Sequence, residues 1–189
     1  MTSVLLIYPF FKPHRDRSVF RFPPLGISYI AASLLKAGHQ VRLIDCTFLE
    51  RREALGKAMA LKVDVVGIYC MVSMMDECLW FAKKLRAHCQ LLVAGGPLPT
   101  CDPEPFLEHF DVVVRGEGEQ TMQDLLRSLE EASRMDKVFG IVYRAGTGCS
   151  AKGRLIYTPQ REFMKDLDHV PFPARELLPN EAGAVIFKH

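Results

Sequence analysis

Five short apolar runs, each followed by a stretch with helical spacing, constrain this chain more than any other feature. Val4 to Tyr8, Val41 to Asp45, Asp64 to Cys70, Leu91 to Ala94 and Asp111 to Val114 read as strands. The third is almost unbroken in apolar character, as a strand buried on both faces must be. Between them, Leu25 to Ala37 predicts a helix closed by Gly38, and a second helix lies around Arg51 to Leu61. Ser73 stands three residues before Asp76 and predicts an N-cap for a third helix that carries Trp80 and ends near His88. A short helix opens at Asp102-Pro103, and a last one spans about Glu119 to Glu131. This alternation is the pattern of a parallel sheet covered on both faces. It predicts an α/β fold with a flavodoxin-like, doubly wound, parallel five-stranded sheet in the order 2-1-3-4-5.

The alternation fails after Glu131. Val138 to Arg144, a turn at Gly146 to Gly148 and Leu155 to Thr158 predict an antiparallel hairpin, and the rest is irregular and rich in proline. The organisation expected is therefore residues 1–135 as one unit, with 136–189 as a hairpin and linker. The sequence carries no internal repeat and no low-complexity tract.

A formal net charge of only +2 gives no electrostatic reason to expect a nucleic acid or a membrane surface as partner. The first apolar run is far too short for a signal or membrane segment. Six cysteines, Cys46, Cys70, Cys78, Cys89, Cys101 and Cys149, show no CxxC or CxxxCxxC spacing, so no metal site is expected from this chain alone. Several sit within or beside apolar runs, and a reducing cytoplasm is the expected compartment.

In a sheet of this order the loops after the strands share one rim, where α/β proteins place their ligands. The rim loops are Pro9 to Pro24, Asp45 to Phe48, Met71 to Ser73, Gly95 to Thr100 and Arg115 to Glu119. The first carries Lys12, His14, Arg15, Arg17 and Arg21 among Phe10, Phe11, Phe20 and Phe22, which suits a lid, a phosphate contact or a solvated basic loop. In Gly95-Gly96-Pro97-Leu98-Pro99-Thr100, residues without Cβ atoms end a buried strand, so another backbone or a flat ligand can approach there. Gly116-Glu117-Gly118-Glu119 follows a strand and opens a helix, but its carboxylates would repel a phosphate. They suit the helix dipole, or hydrogen bonds from the amides and hydroxyls of a neutral ligand. Asp45 either binds a ribose or finishes its strand. No catalytic residues emerge: there is no nucleophile elbow, and no P-loop lysine for a nucleotide enzyme.

Taken together, the loops are more specific than any one of them. Pro23-Pro24-Leu25-Gly26-Ile27-Ser28-Tyr29-Ile30-Ala31-Ala32, Gly38-His39-Gln40-Val41, Ile44-Asp45, Asp64-Val65-Val66-Gly67-Ile68, Gly95-Gly96-Pro97-Leu98-Pro99-Thr100 and Val114-Arg115-Gly116-Glu117-Gly118-Glu119 follow one another in a telling order and spacing. In both they resemble the N-terminal cobalamin (B12)-binding domain of B12-dependent radical SAM proteins. The likeness continues through Gly140 to Arg144 and Asp166 to Arg175, and so covers almost the whole chain.

The resemblance implies a Rossmann-like domain holding cobalamin over the sheet rim, facing a radical SAM barrel with S-adenosylmethionine and a [4Fe–4S] cluster. Many such proteins are methyltransferases in which methylcobalamin is the donor; others cyclise or rearrange substrates. It implies that Gly95 and Gly96, with Pro97, Pro99 and Thr100 beside them, let the nucleotide tail pass the sheet. Met71, Val72, Ser73 and Met74 would line that tail's groove or the lower face of the corrin. Gly116, Glu117, Gly118 and Glu119 would meet the ring's amide side chains, and Leu25, Gly26, Asp45, Cys46 and Thr47 complete the expected contacts. Two departures stand out. Asp45-Cys46-Thr47-Phe48-Leu49-Glu50 carries Thr47 where a DxHxxG motif would carry its histidine and Glu50 where it would carry its glycine. Cobalamin is therefore expected base-off, without a histidine lower ligand. The CxxxCxxC motif is absent, so a catalytic radical SAM part is expected C-terminal to these residues. The alternative is a stand-alone regulatory or partner-binding module of the same fold with a vestigial site.

Overall fold

Seven strands form one sheet in the computed structural model, which describes residues 1–9, 22–132, 134–146 and 153–179. They are β1 (Ser3–Tyr8), β2 (Gln40–Asp45), β3 (Val65–Tyr69), β4 (Leu91–Gly95), β5 (Val112–Val114), β6 (Ile141–Arg144) and β7 (Leu155–Tyr157). Their order is β2-β1-β3-β4-β5-β6-β7. The first five pair in parallel in the order expected, and the hairpin β6–β7 adds to the free edge of β5 in antiparallel fashion.

Period two along each strand sends alternate residues to opposite faces, and each face has its own core. Val4, Leu6, Val65, Val93 and Val114 pack under α1 (Leu25–Lys36) and α5 (Gly118–Glu130). Leu5, Ile7, Val66, Ile68, Leu92 and Val113 pack under α2 (Arg51–Ala60) and α3 (Met75–Leu85), with Phe81 and Phe106 at the centre. Arg51 ties those last two helices together. Its guanidinium donates to the buried Glu77 carboxylate at 2.5 and 3.0 Å and lies over the Trp80 ring at 4.6 Å.

Three local expectations need correction. Ser73 does not cap α3: it sits in a 3₁₀ turn, Val72–Met74, whose Met74 amide bonds to the Met71 carbonyl at 2.9 Å, and no side chain caps the helix. The short helix expected to open at Asp102-Pro103 forms there only as a 3₁₀ turn with Pro103 at its N-cap, and another helix precedes it. That five-residue helix, α4 (Pro97–Cys101), opens at Pro97, where the proline's fixed φ suits the first helical position, and the 3₁₀ turn follows at Glu104–Glu108. The hairpin's first strand begins at Ile141, since Gly140 at φ +78° turns the chain just before it.

After β7 the chain crosses back over the α1/α5 face as an irregular strap. Arg161 pairs with Asp124 and donates to the Thr121 hydroxyl at 2.9 Å, Lys36 donates to the His169 carbonyl at 3.3 Å, and the Ala174 amide donates to the Ser28 carbonyl at 3.1 Å. Ala174 and Leu178 are buried. Phe10, Phe11, Lys12, His14, Arg15, Arg17, Phe20, Arg21 and Cys149 lie outside the described residues.

Candidate functional site

A groove of about 190 Å³ opens between α1 and α5 at the carboxyl ends of the central strands. Its floor is one row across three strands, Leu6, Gly67 and Val93, which are register partners. The next row toward the rim is Tyr69 and Gly95, also partners. Gly26, Ile27 and Ile30 of α1 form one wall, and Gly118, Glu119 and Met122 of α5 the other. Gly116 and Glu117 close the end beside β5.

Glycines make this space. A Cβ on Gly26 would meet nothing within 4 Å, and one on Gly95 would sit in ordinary contact with Val114 at 3.9 Å, so both positions have room for a first side-chain carbon without a clash. Gly118 is different: its Cβ would lie 2.7 Å from Ile30 Cδ1, so its absence lets α5 approach α1. Gly96 serves the fold. At φ +109° it stands where a Cβ would lie 2.6 Å from the Cys70 carbonyl oxygen and 3.1 Å from its nitrogen. That approach lets the Cys70 amide donate to the Gly95 carbonyl at 2.8 Å and the Leu98 amide to the Cys70 carbonyl at 3.3 Å, clamping β3 to α4.

The two glutamates have separate surroundings. Glu117 accepts a hydrogen bond from the Met164 amide at 3.0 Å and so fastens the strap beside the groove. Burial, and secondarily the nearby Glu117 carboxylate, push the Glu119 carboxyl above its ordinary range, against the opposing pull of the backbone amides of Glu119 and Gly118. The Thr100 hydroxyl accepts from the Gly116 amide at 3.1 Å, locking the loop after β5 to α4.

Gly26, Gly95, Gly96, Gly116, Glu117, Gly118 and Glu119 thus come together in one groove, while the other expected contacts lie outside its lining. Leu25 is exposed beside it, and Pro97, Pro99 and Thr100 belong to α4. Asp45, Cys46 and Thr47 end β2, on the far side of β1. Asp45 is buried, which raises its pKa, and accepts from the Thr47 amide at 2.9 Å and hydroxyl at 2.5 Å; it finishes its strand as a turn. Cys46 is fully buried in the core under α2 and α3, where burial pushes its thiol well up, so it presents nothing to a ligand. Met74 is likewise fully buried, whereas Val72 is exposed at the rim. Sequence reasoning missed Tyr69, whose ring lies 5.0 Å from that of Tyr8. Its signal was the period of β3, which puts residues 65, 67 and 69 on one face.

Among the described residues no group of three or more His, Cys, Asp or Glu is arranged to hold a metal ion, and no helix is long and apolar enough to cross a membrane.

Residues 14–126 match the family model of the B12 binding domain. The chain is 30% identical over 167 residues to an uncharacterised methyltransferase of Pyrococcus horikoshii, an alignment covering 83% of this chain and 34% of that protein. It is 31% identical to the hopanoid C-3 methylase of Methylococcus capsulatus, covering 93% of this chain and 33% of the relative. With the anaerobic magnesium-protoporphyrin IX monomethyl ester cyclase of Synechocystis sp. it shares 30% identity, over 78% of this chain and 30% of that one. The chain spans about a third of the length of these relatives. Among solved structures, the cobalamin-dependent S-adenosylmethionine radical enzyme OxsB with aqua-cobalamin and S-adenosylmethionine bound superposes with a TM-score of 0.78 at 19% identity, covering 94% of this chain and 25% of that one. The radical S-adenosylmethionine methyltransferase TsrM of Kitasatospora setae, with cobalamin and a [4Fe-4S] cluster bound, gives 0.68 at 19% identity, covering 84% of this chain and 31% of its own.

Proposed function

The chain belongs to the B12-binding domain family, and we propose that it holds cobalamin with the nucleotide tail in the α1/α5 groove and the corrin across the carboxyl ends of the strands. The groove carries this reading. It is apolar along its floor, and Gly26 and Gly95 keep it open where side chains would fill it. A vestigial module would have no use for that emptiness, since unfilled apolar space costs stability. In this reading Leu25, next to Gly26 of the groove wall, and Thr100, whose hydroxyl accepts from the Gly116 amide, adjoin the groove.

Bound cobalamin supplies a cobalt centre able to carry a one-carbon group. The chain's own part is to hold and orient the cofactor. None of its six histidines stands in a DxHxxG frame, and Asp45 spends its carboxylate on Thr47. With its nucleotide tail in the groove the cofactor would be held base-off, and no histidine of a DxHxxG frame would stand ready to take the cobalt's lower position. Electron paramagnetic resonance of the cob(II)alamin-loaded protein is expected to show cobalt hyperfine lines without nitrogen superhyperfine splitting. A resolved nitrogen triplet would contradict base-off binding.

We further propose that residues 1–135 are the cofactor-holding unit and 136–189 the connection to a radical SAM domain in cis, which supplies S-adenosylmethionine and a [4Fe–4S] cluster in a cytoplasmic methyltransferase-like or cyclase-like enzyme. In support, the strap brings Ala174 back to Ser28 in the first turn of α1, beside the mouth of the groove.

A further inference from the structure

We propose that the α1/α5 groove selects the lower base of its corrinoid, accepting a benzimidazole and rejecting a purine, and that Glu119 is the side chain that meets the polar edge of that base. This rests on the cobalamin reading of the same groove.

The floor has nothing to offer a polar group. The side chains of Leu6 and Val93 are apolar, Gly67 has none, and β1, β3 and β4 pair through this row in parallel. Ile27, Ile30 and Met122 enclose the same depth from the helices. A benzimidazole's hydrocarbon edge fits this surface. A purine brings ring nitrogens and an exocyclic amine to it, and a buried amine without an acceptor loses more than it gains.

Of the lining side chains only Tyr69, Glu117 and Glu119 carry oxygen. Glu117 fastens the strap through the Met164 amide, and Glu119 is held at the start of α5 by the amides of Gly118 and of its own residue. Tyr69 stacks beside Tyr8 at the rim end of β3, with its ring edge against Gly96. Glu119 stands three residues before Met122, so helical spacing sets it on the same side of α5 as that floor-facing residue, one turn nearer the rim. It is thus placed to meet the in-plane ring nitrogen of a base whose apolar edge lies deeper. A carboxyl raised by burial, and further by Glu117, can hold a proton for that nitrogen.

The test is equilibrium titration of the 189-residue chain with three corrinoids: cobalamin, an adenine-bearing cobamide, and cobinamide, which lacks the nucleotide tail. Cobalamin is expected to bind at least about tenfold tighter than the adenine form, the loss that follows from one unpaired buried amine. Glu119→Ala is expected to weaken cobalamin by about tenfold and leave cobinamide within about twofold, while Glu119→Gln, which keeps a polar tip, restores most of the difference. Circular dichroism checks that each variant is folded, and the wild-type comparison decides base selection even if Glu119→Ala does not fold. Equal affinity for the two cobamides overturns the selection. An unchanged margin of cobalamin over cobinamide in a folded Glu119→Ala overturns the part given to Glu119. Failure of the wild-type chain to bind any corrinoid removes the underlying reading as well, and is distinct from either result.

Discussion

Replacing Gly95 by leucine is expected to abolish cobalamin uptake while leaving the chain folded. Gly95 ends β4 on the face of the sheet that carries α1 and α5, and a Cβ there has 3.9 Å to its nearest neighbour, Val114. The first added carbon therefore fits. The rest of the side chain has only the groove to enter, because Val114 bounds it on one side and Tyr69 on the other. Glycine is a poor strand residue, so stability should change by no more than about 1 kcal/mol in either direction. Cofactor affinity should fall by about 100-fold or more, near 2.7 kcal/mol of binding free energy. Corrin absorbance after desalting measures the one and urea denaturation the other. Binding within about threefold of wild type in a folded Gly95→Leu would place the tail elsewhere.

The neighbouring glycine should behave in the opposite way. Gly96→Ala is expected to cost at least about 3 kcal/mol of folding stability, since it combines a strained positive φ with a collision against backbone. The collision is with the Cys70 carbonyl oxygen at 2.6 Å, which has no flexible side chain to yield. Out of a typical total of about 5–15 kcal/mol, that is enough to shift a urea midpoint visibly or prevent folding. Gly38 is the matched control: it has φ +87° with nothing within 4 Å of its would-be Cβ. Gly38→Ala should therefore cost only the backbone term, about 1–2 kcal/mol. Equal losses at the two positions would show that the Cys70 contact contributes nothing.

These adjacent glycines mark how far the sequence could be read. Gly95-Gly96 stood out as a pair, and the groove is indeed lined by both. Their separate tasks were not legible, because one depends on φ and on the approach of Cys70 from a different strand. The parallel order of β1 to β5 was legible for a local reason: each apolar run and the helix after it carry their own period. Tyr69 was legible in principle from the period of β3 but is masked by the continuous apolar character of that run. The capture of Glu117 by Met164 spans 47 residues and has no local signature at either end. Ser73 misled because a capping spacing is common, and here a 3₁₀ turn satisfies the chain before the helix begins. The expected contacts at Asp45, Cys46 and Thr47 rest on the place of their loop at the strand rim as well as on likeness of motif. Strand order sets them beyond β1, away from the groove.

On the cobalamin reading, this chain by itself contains a place for the cofactor. Hydroxocobalamin titrated into the purified 189-residue chain under reducing conditions, with unbound corrinoid removed by desalting, tests it most directly. The expected result is saturable uptake of one corrinoid per chain, with a Kd of about 10 μM or tighter, near −7 kcal/mol. A folded chain that retains no corrin absorbance at that concentration would contradict the account.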